Sequence, residues 1–227
     1  MEFLNEILIY PIDKMPFFLI AIVLAFTVHE FSHAYFANKF GDPTAKLLGR
    51  VTLNPAVHFD LFGIILLVIA GFGWARPVPV NRDNFDRPRL MGVIVSIAGP
   101  LSNFVLGVVG SLIYAGLVQF GVLDSITNLK LAEATATLFY FIIIMNFFLF
   151  LFNLIPLPPL DGYRVLEDVV PREVRGKLQK VEQWSMLIFL MILFIPGLQT
   201  YTISPLYTAA RTMYVNFINM FMVMFGA

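Results

Sequence analysis

Residues 29–33 read HEFSH and lie inside an apolar run that extends over residues 17–38. The run is long enough to cross a bilayer, because about 20 apolar residues in a helix span the hydrocarbon core. On such a helix, His29 and His33 lie one turn apart on the same face. This spacing allows two imidazoles to bind one zinc ion, with Glu30 beside them to accept a proton from the attacking water.

Two histidines do not complete a catalytic zinc site, which usually has three protein ligands and a water. The chain has no cysteine, and its three histidines are His29, His33 and His58. The third ligand must therefore be His58 or a carboxylate elsewhere in the chain. A satisfied pair of buried histidines is the alternative interpretation, which the full motif inside an apolar run makes the less favoured one.

The composition is that of an integral membrane protein. Hydrophobic residues make up 59% of the 227 residues, charged residues make up 13%, and the formal net charge is zero. The zero net charge gives no argument for nucleic-acid binding, and the lack of cysteine excludes disulfides and thiolate ligands. The N-terminus is acidic, so we expect no cleavable signal peptide. We expect a single membrane-embedded domain over residues 1–227.

An all-α polytopic fold is predicted, with about five transmembrane helices. Three of them form the predicted core, at about residues 17–38, 91–120 and 132–155. Two more follow towards the C-terminus, at about residues 184–199 and 205–225. Pro196-Gly197 interrupts the first of these, and the second either spans the membrane or lies in its interface.

Residues 61–73 are very apolar but short for a spanning helix. Lysine and arginine residues flank them on both sides, and positive loops favour the cytoplasm. We therefore interpret residues 61–73 as a re-entrant segment, with a plain second span as the alternative. Residues 74–81 are predicted to be extended, because Pro77 and Pro79 disfavour a helix.

The charge pattern also predicts which distant segments meet. It places residues 39–90 and 162–182 on the cytoplasmic side, so that Asp161 follows a helix arriving at that side. His33 lies about 9 Å from the inner end of its own helix. The motif and Asp161 therefore fall at a similar depth, which makes Asp161 the best third ligand. Two candidates in the inner loop rank lower, His58 and Asp60.

Other polar residues at membrane depth have plainer alternatives. Asn103 follows Gly99-Pro100 in the second core span, and an interhelical hydrogen bond is favoured over a catalytic role. Asn153 precedes a proline-rich break, where irregular backbone is tolerated if it lines a cavity. The alternative role for Asp161 is an N-cap of a short helix at about residues 162–170.

The combination of HEFSH with Asn153-Leu154-Ile155-Pro156 and Leu160-Asp161-Gly162 resembles the site-2 protease family of intramembrane zinc metalloproteases. It matches the paired patterns H-E-x-x-H and N-x-x-P-x-x-x-x-D-G. The resemblance covers about residues 17–165, including residues 73–81 and 98–103, and is closest to the short prokaryotic members. Many other members carry PDZ or CBS domains, for which this chain has no room.

The resemblance implies that His29, His33 and Asp161 bind one zinc ion and that Glu30 is the general base. It implies that Asn153 orients the substrate or stabilises the oxyanion. The implied partners are the lipid bilayer and a transmembrane protein, cut near the cytoplasmic leaflet of a prokaryotic cell membrane. The oligomeric state is left open.

Residues 61–81 resemble the family's membrane-embedded β region, which is proposed to unwind substrate by strand addition. The residues expected to contact substrate there are Trp74, Val78, Val80 and Asn81. Three other classes of protein are alternatives to this interpretation: a metal transporter, a protease that processes prenylated C-termini, and a binding protein without catalysis. Clustering of the polar groups at one depth favours a site over a transport path, and an aspartate-glycine turn disfavours the prenyl-type protease.

Overall fold

A computed structural model describes residues 10–70 and 73–226. The α-helices are α1 Met15–Lys39, α2 Thr44–Leu47, α3 Leu61–Ala70, α4 Pro88–Gln119, α5 Leu129–Asn153, α6 Asp161–Val169, α7 Arg172–Phe194 and α8 Pro196–Met224. Short 3-10 turns occur at Pro55–Val57 and Arg82–Asn84. Within the described residues, β structure is limited to one antiparallel bridge, between Phe59 and Ala75.

Helices α1, α4 and α5 are long and apolar enough to cross a membrane. Their 25, 32 and 25 residues exceed the roughly 20 that a bilayer core requires. The three helices pack against one another around a shared apolar core. Gly107 of α4 makes close packing possible, because a Cβ there would lie 2.6 Å from the ring of Phe147 on α5. The predicted core spans are therefore confirmed as helices.

The C-terminal helices differ from the prediction in their boundaries. The break lies at Ile195, and Pro196 begins α8 instead of interrupting a span. Proline is tolerated in the first turn, where its missing N–H would have no helical partner. Together α7 and α8 provide at most one further span, as a bent pair. The predicted total of about five spanning helices stays a prediction.

Residues 73–84 are called the return segment. They follow helix α3 and bring the chain back beside the residues that precede this helix. Arg76 N–H donates to the carbonyl of His58 at 2.7 Å, beside the Phe59–Ala75 bridge. Helix α3 has 10 residues, about 15 Å, which is too short to cross a bilayer. The ends of the two segments meet, which is compatible with a re-entrant path, and the re-entrant placement in the bilayer stays a prediction. The β region expected at residues 61–81 is not found in the described residues: residues 61–70 are helical, and β pairing is limited to the Phe59–Ala75 bridge.

Asp42 anchors the return segment to the end of α1. Its carboxylate is fully buried and accepts hydrogen bonds from Asn81 N–H at 2.7 Å, Asn84 Nδ2 at 2.8 Å and Thr44 N–H at 3.1 Å. Burial opposes ionisation of Asp42, but these donors outweigh it and keep the pKa of the carboxyl below its ordinary value. Local sequence pattern does not predict this role, because Asn81 and Asn84 lie 39 and 42 residues further along the chain.

Asp42→Ala should destabilise the fold by about 2–4 kcal/mol, because it leaves several buried donors without an acceptor. Thermal unfolding in detergent measures the loss, and Asp83→Ala, at an exposed position in the same return segment, is the matched control. Equal stability of the two variants would show that Asp42 does not anchor the return segment.

Candidate metal centre and active site

His29 and His33 lie one turn apart on α1, and both are buried. Their Nε2 atoms face each other at 3.0 Å. Asp161 approaches from the start of α6, with Oδ2 at 3.0 Å from His29 Nε2 and 3.3 Å from His33 Nε2. The structure therefore brings together the three side chains that the sequence analysis proposed as ligands.

Asp161 is not the N-cap of its helix, which was the alternative interpretation. Leu160 occupies the N-cap, and no side chain caps the helix. Asp161 is the first helical residue, and its carboxylate turns towards the imidazoles. Gly162 behind it allows the tight approach to the end of α5, since a Cβ there would lie 2.3 Å from the carbonyl oxygen of Leu154.

The outer nitrogens of both imidazoles are held by acceptors on α4. His29 Nδ1 lies 2.7 Å from Asn103 Oδ1, and His33 Nδ1 lies 2.7 Å from the carbonyl of Val95. Each Nδ1 must therefore carry the proton, which leaves the Nε2 lone pairs pointing inward. The Asn103 amide is oriented by donating Nδ2 to Ala25 O and to Asn146 Oδ1.

The centre has the donor set of a zinc site. Two Nε2 lone pairs converge with Asp161 Oδ2, a buried oxygen that accepts no hydrogen bond in the described structure. A tetrahedral zinc ion with bonds near 2.0–2.1 Å places its ligands about 3.3 Å apart, close to the observed separations. Gly99 of α4 leaves the space open, because a Cβ there would lie 2.3 Å from His33 Nε2 and 2.7 Å from His29 Nε2.

Glu30 and the three candidate ligands line a cavity of about 550 Å³. The carboxylate of Glu30 accepts a hydrogen bond from Val78 N–H, at 3.2 Å from Oε2. Trp74, Val78 and Val80 of the return segment also line the cavity. Trp74 is 40% exposed.

The remaining predicted residues fall into two groups. Asn153 lines the cavity, and its Nδ2 donates to Leu149 O at 3.0 Å. Asn81 is not among the residues that line this cavity. Its N–H donates to Asp42, and its Oδ1 accepts from Asp83 N–H in the following turn. This geometry favours a structural role for Asn81 over substrate contact.

The lower-ranked ligand candidates do not join the centre. The buried His58 places Nε2 2.8 Å from Thr52 O, and Asp60 accepts from Gly63 N–H at the start of α3. Among residues 10–70 and 73–226, the candidate metal-binding group is His29, His33 and Asp161. The predicted ligand role for Asp161 thus has geometric support that His58 and Asp60 lack.

Several residues that shape the site were missed from the sequence. The sequence predicts a kink at Gly99-Pro100, yet α4 is helical through Pro100. Gly99 instead allows the backbone of α4 to lie close to both imidazoles. Asn146 completes the chain from Asn103 and is fully buried. A single asparagine inside the apolar run of α5 was the available signal for it. The role of Val95 cannot be predicted from the sequence, because it uses a backbone carbonyl that any residue would provide.

The chain belongs to peptidase family M50, the site-2 protease family, whose model matches residues 17–196. The donor set and the family together make it a membrane-embedded zinc metalloprotease. The resemblance inferred from the motifs is thereby confirmed.

Named relatives agree with this family. The chain is 47% identical to a Bacillus subtilis protein named "Putative zinc metalloprotease YwhC", over 92% of this chain and 93% of that one. It is 29% identical to "Putative zinc metalloprotease Rip2" of Mycolicibacterium smegmatis, over 88% of this chain and 76% of that one. "Zinc metalloprotease MJ0392" of Methanocaldococcus jannaschii is 26% identical over 68% of this chain and 34% of that one. No solved structure matches the chain significantly.

Purified protein should contain about one zinc ion per chain, and both His33→Ala and Asp161→Ala should lose it or bind it far more weakly. Elemental analysis in detergent measures the content. Asp60→Ala is the matched control, because it removes the competing carboxylate and should keep the metal. Zinc retained in Asp161→Ala but lost in Asp60→Ala would contradict this assignment and make Asp60 the third ligand.

Asn103→Ala should weaken zinc binding by about 10–100-fold, as is common when the partner of a ligating imidazole is removed. Competition with a chromophoric chelator measures the affinity. Ser111→Ala is the control, since Ser111 is also buried on α4 and its hydroxyl donates to Gly107 O of its own helix. If zinc affinity is unchanged in Asn103→Ala, Asn103 does not support the metal centre and only forms hydrogen bonds between helices.

Proposed function

We propose that this protein is an intramembrane metalloprotease that hydrolyses peptide bonds in the transmembrane segments of other membrane proteins. The observation that carries this proposal is the position of the centre. Both candidate histidine ligands and Glu30 lie within a 25-residue apolar helix, and the Asn103–Asn146 contact lies between two further apolar helices. Ionisable groups within a span are costly and mark functional sites.

Depth and charge support a proposed cleavage site near the cytoplasmic leaflet. His33 lies six residues before Lys39, the end of α1, which corresponds to about 9 Å. Arginines follow in the return segment and at the start of α4, and the positive-inside rule assigns that side to the cytoplasm. We extend the proposal to a single protease domain over residues 1–227 in a prokaryotic cell membrane, with α3 and the return segment re-entrant and about five spans.

The residues of the chain have separate roles in this reaction. His29, His33 and Asp161 would hold the zinc ion, which would supply the Lewis acid chemistry needed to activate water and polarise the scissile carbonyl. Glu30 accepts a proton from the attacking water and later gives a proton to the leaving amine. The Asn153 amide, of which one N–H is engaged by Leu149 O, has a second N–H to offer to the developing oxyanion.

A helical substrate hides its backbone carbonyls, so it must be unwound, and we propose that it pairs with the return segment. The backbone donors of this segment are largely engaged: Arg76 N–H by His58 O, Val78 N–H by Glu30 and Asn81 N–H by Asp42. Proline occupies positions 77 and 79 and supplies no N–H. A paired substrate would therefore donate its own N–H groups to carbonyls of the return segment, with Trp74, Val78 and Val80 beside it.

Glu30→Gln should lower the cleavage rate by about 10²–10⁴-fold while zinc content stays unchanged, because the amide cannot accept the proton. The assay uses proteoliposomes with a panel of tagged single-pass membrane proteins, read by the size of the released fragments. Glu133→Gln, on α5 and outside the cavity lining, is the control. Wild-type cleavage by Glu30→Gln would remove the base assignment. Cleavage confined to soluble peptides would overturn the intramembrane assignment.

A further inference from the structure

An ion pair between a partly exposed arginine and two buried carboxylates joins the return segment to α6. Arg82 Nη2 lies 2.8 Å from Asp168 Oδ2, and Arg82 Nη1 lies 3.6 Å from Glu167 Oε2. The side chains of Asp168 and Glu167 are only 1% and 3% exposed. Asp168 Oδ2 accepts no hydrogen bond of ordinary geometry, so its charge depends on the arginine. Buried charges of this kind are costly unless they are paired.

The ion pair connects two parts of the active site. Arg82 lies four residues after Val78, whose N–H holds Glu30. Asp168 lies seven residues after Asp161, two turns along the same face of α6. Arg82 and Asp161 line the same cavity. Glu30 is thus connected to Arg82 through the return segment, and Asp161 is connected to Asp168 through α6.

Helix α4 is shaped to admit this pair. A Cβ on Gly92 would lie 2.4 Å from Asp168 Oδ2 and 3.0 Å from Arg82 Nε, so any other residue would displace it. Val95, one turn along α4, holds His33, and Gly99 lies one turn further beside both imidazoles. One face of α4 therefore supports the ion pair at one end and the metal centre at the other.

Glu167 extends the same cluster to α7. It accepts hydrogen bonds from Arg164 at 3.2 Å, Arg175 at 3.3 Å and Gln179 at 3.0 Å. Glu167 thus has several partners within α6 and α7, whereas Asp168 is paired with Arg82 of the return segment. The Arg82–Asp168 pair is the part of the cluster that bears on the active site.

We propose that Arg82 and Asp168 are positioning residues, which fix the return segment relative to α6 and thereby keep Glu30 and Asp161 at their working separation. This inference rests on the proposed function of the same site. Neither residue touches the reacting atoms. A purely structural ion pair would stabilise the fold without controlling the spacing of these two elements.

Distances between spin labels test this coupling without any substrate. The chain has no cysteine, so Arg76→Cys on the return segment and Val169→Cys on α6, both exposed positions, give unique labelling sites. The zinc-loaded protein should show one narrow distance distribution. Arg82→Gln and Asp168→Asn should each broaden it, and Arg82→Lys, which keeps the charge, should restore part of the order.

Zinc affinity provides a second measurement, and we expect a loss of about tenfold in Asp168→Asn as Asp161 becomes less ordered. Glu182→Gln is the matched control, because Glu182 pairs with Arg164 at 3.6 Å in the same cluster but not with the return segment. The double variant Arg82→Gln/Asp168→Asn leaves no unpaired buried charge, so it serves if a single variant does not fold.

A distribution as narrow as the wild type in the folded variants, the double one included, would overturn the proposal. Broadening in the Glu182→Gln control would overturn it as well, since any loss of charge in the cluster would then have the same effect. These measurements are independent of proteolysis. Failure of the protease assignment therefore shows only in the cleavage assay, and failure of the positioning role shows only here.

Discussion

The lone pairs of His29, His33 and Asp161 converge at one point inside an apolar bundle. The rest of the structure depends on holding these three groups together. Two imidazole nitrogens and a carboxylate oxygen face one another within hydrogen-bonding distance, while the protons of both imidazoles point the other way. Such an arrangement is unfavourable without a cation between the donors. The glycines of α4, the asparagine pair and the turn before α6 all serve to hold it.

The supporting polar groups form a connected chain across three helices. His29 bonds to Asn103 on α4, Asn103 bonds to Asn146 on α5, and Asn146 returns to the carbonyl of Ile142. Each buried donor in this chain has an acceptor, which satisfies groups that would otherwise be costly in an apolar interior. The same bonds hold α1, α4 and α5 in register, so the bundle and the metal centre stabilise each other.

Much of this architecture could be predicted from local pattern. The HEFSH motif, the core spans and the meeting of Asp161 with the two histidines follow from helix periodicity, span length and charge asymmetry. Gly99, Asp42 and the Arg82–Asp168 pair could not be predicted, because their roles are contacts between residues far apart in the chain. The start of α8 at Pro196 was missed for a local reason: proline is compatible with both a helix break and a helix start.

The separation of the candidate ligands along the chain has a consequence for biogenesis. His29 and His33 belong to the first core span, whereas Asp161 follows the third, so all three spans must insert and pack before the donors converge. A chain still emerging from the insertion machinery holds only two of the three donors. The complete donor set is thus a property of the finished bundle, because neither the first core span nor the segment after the third supplies all three donors.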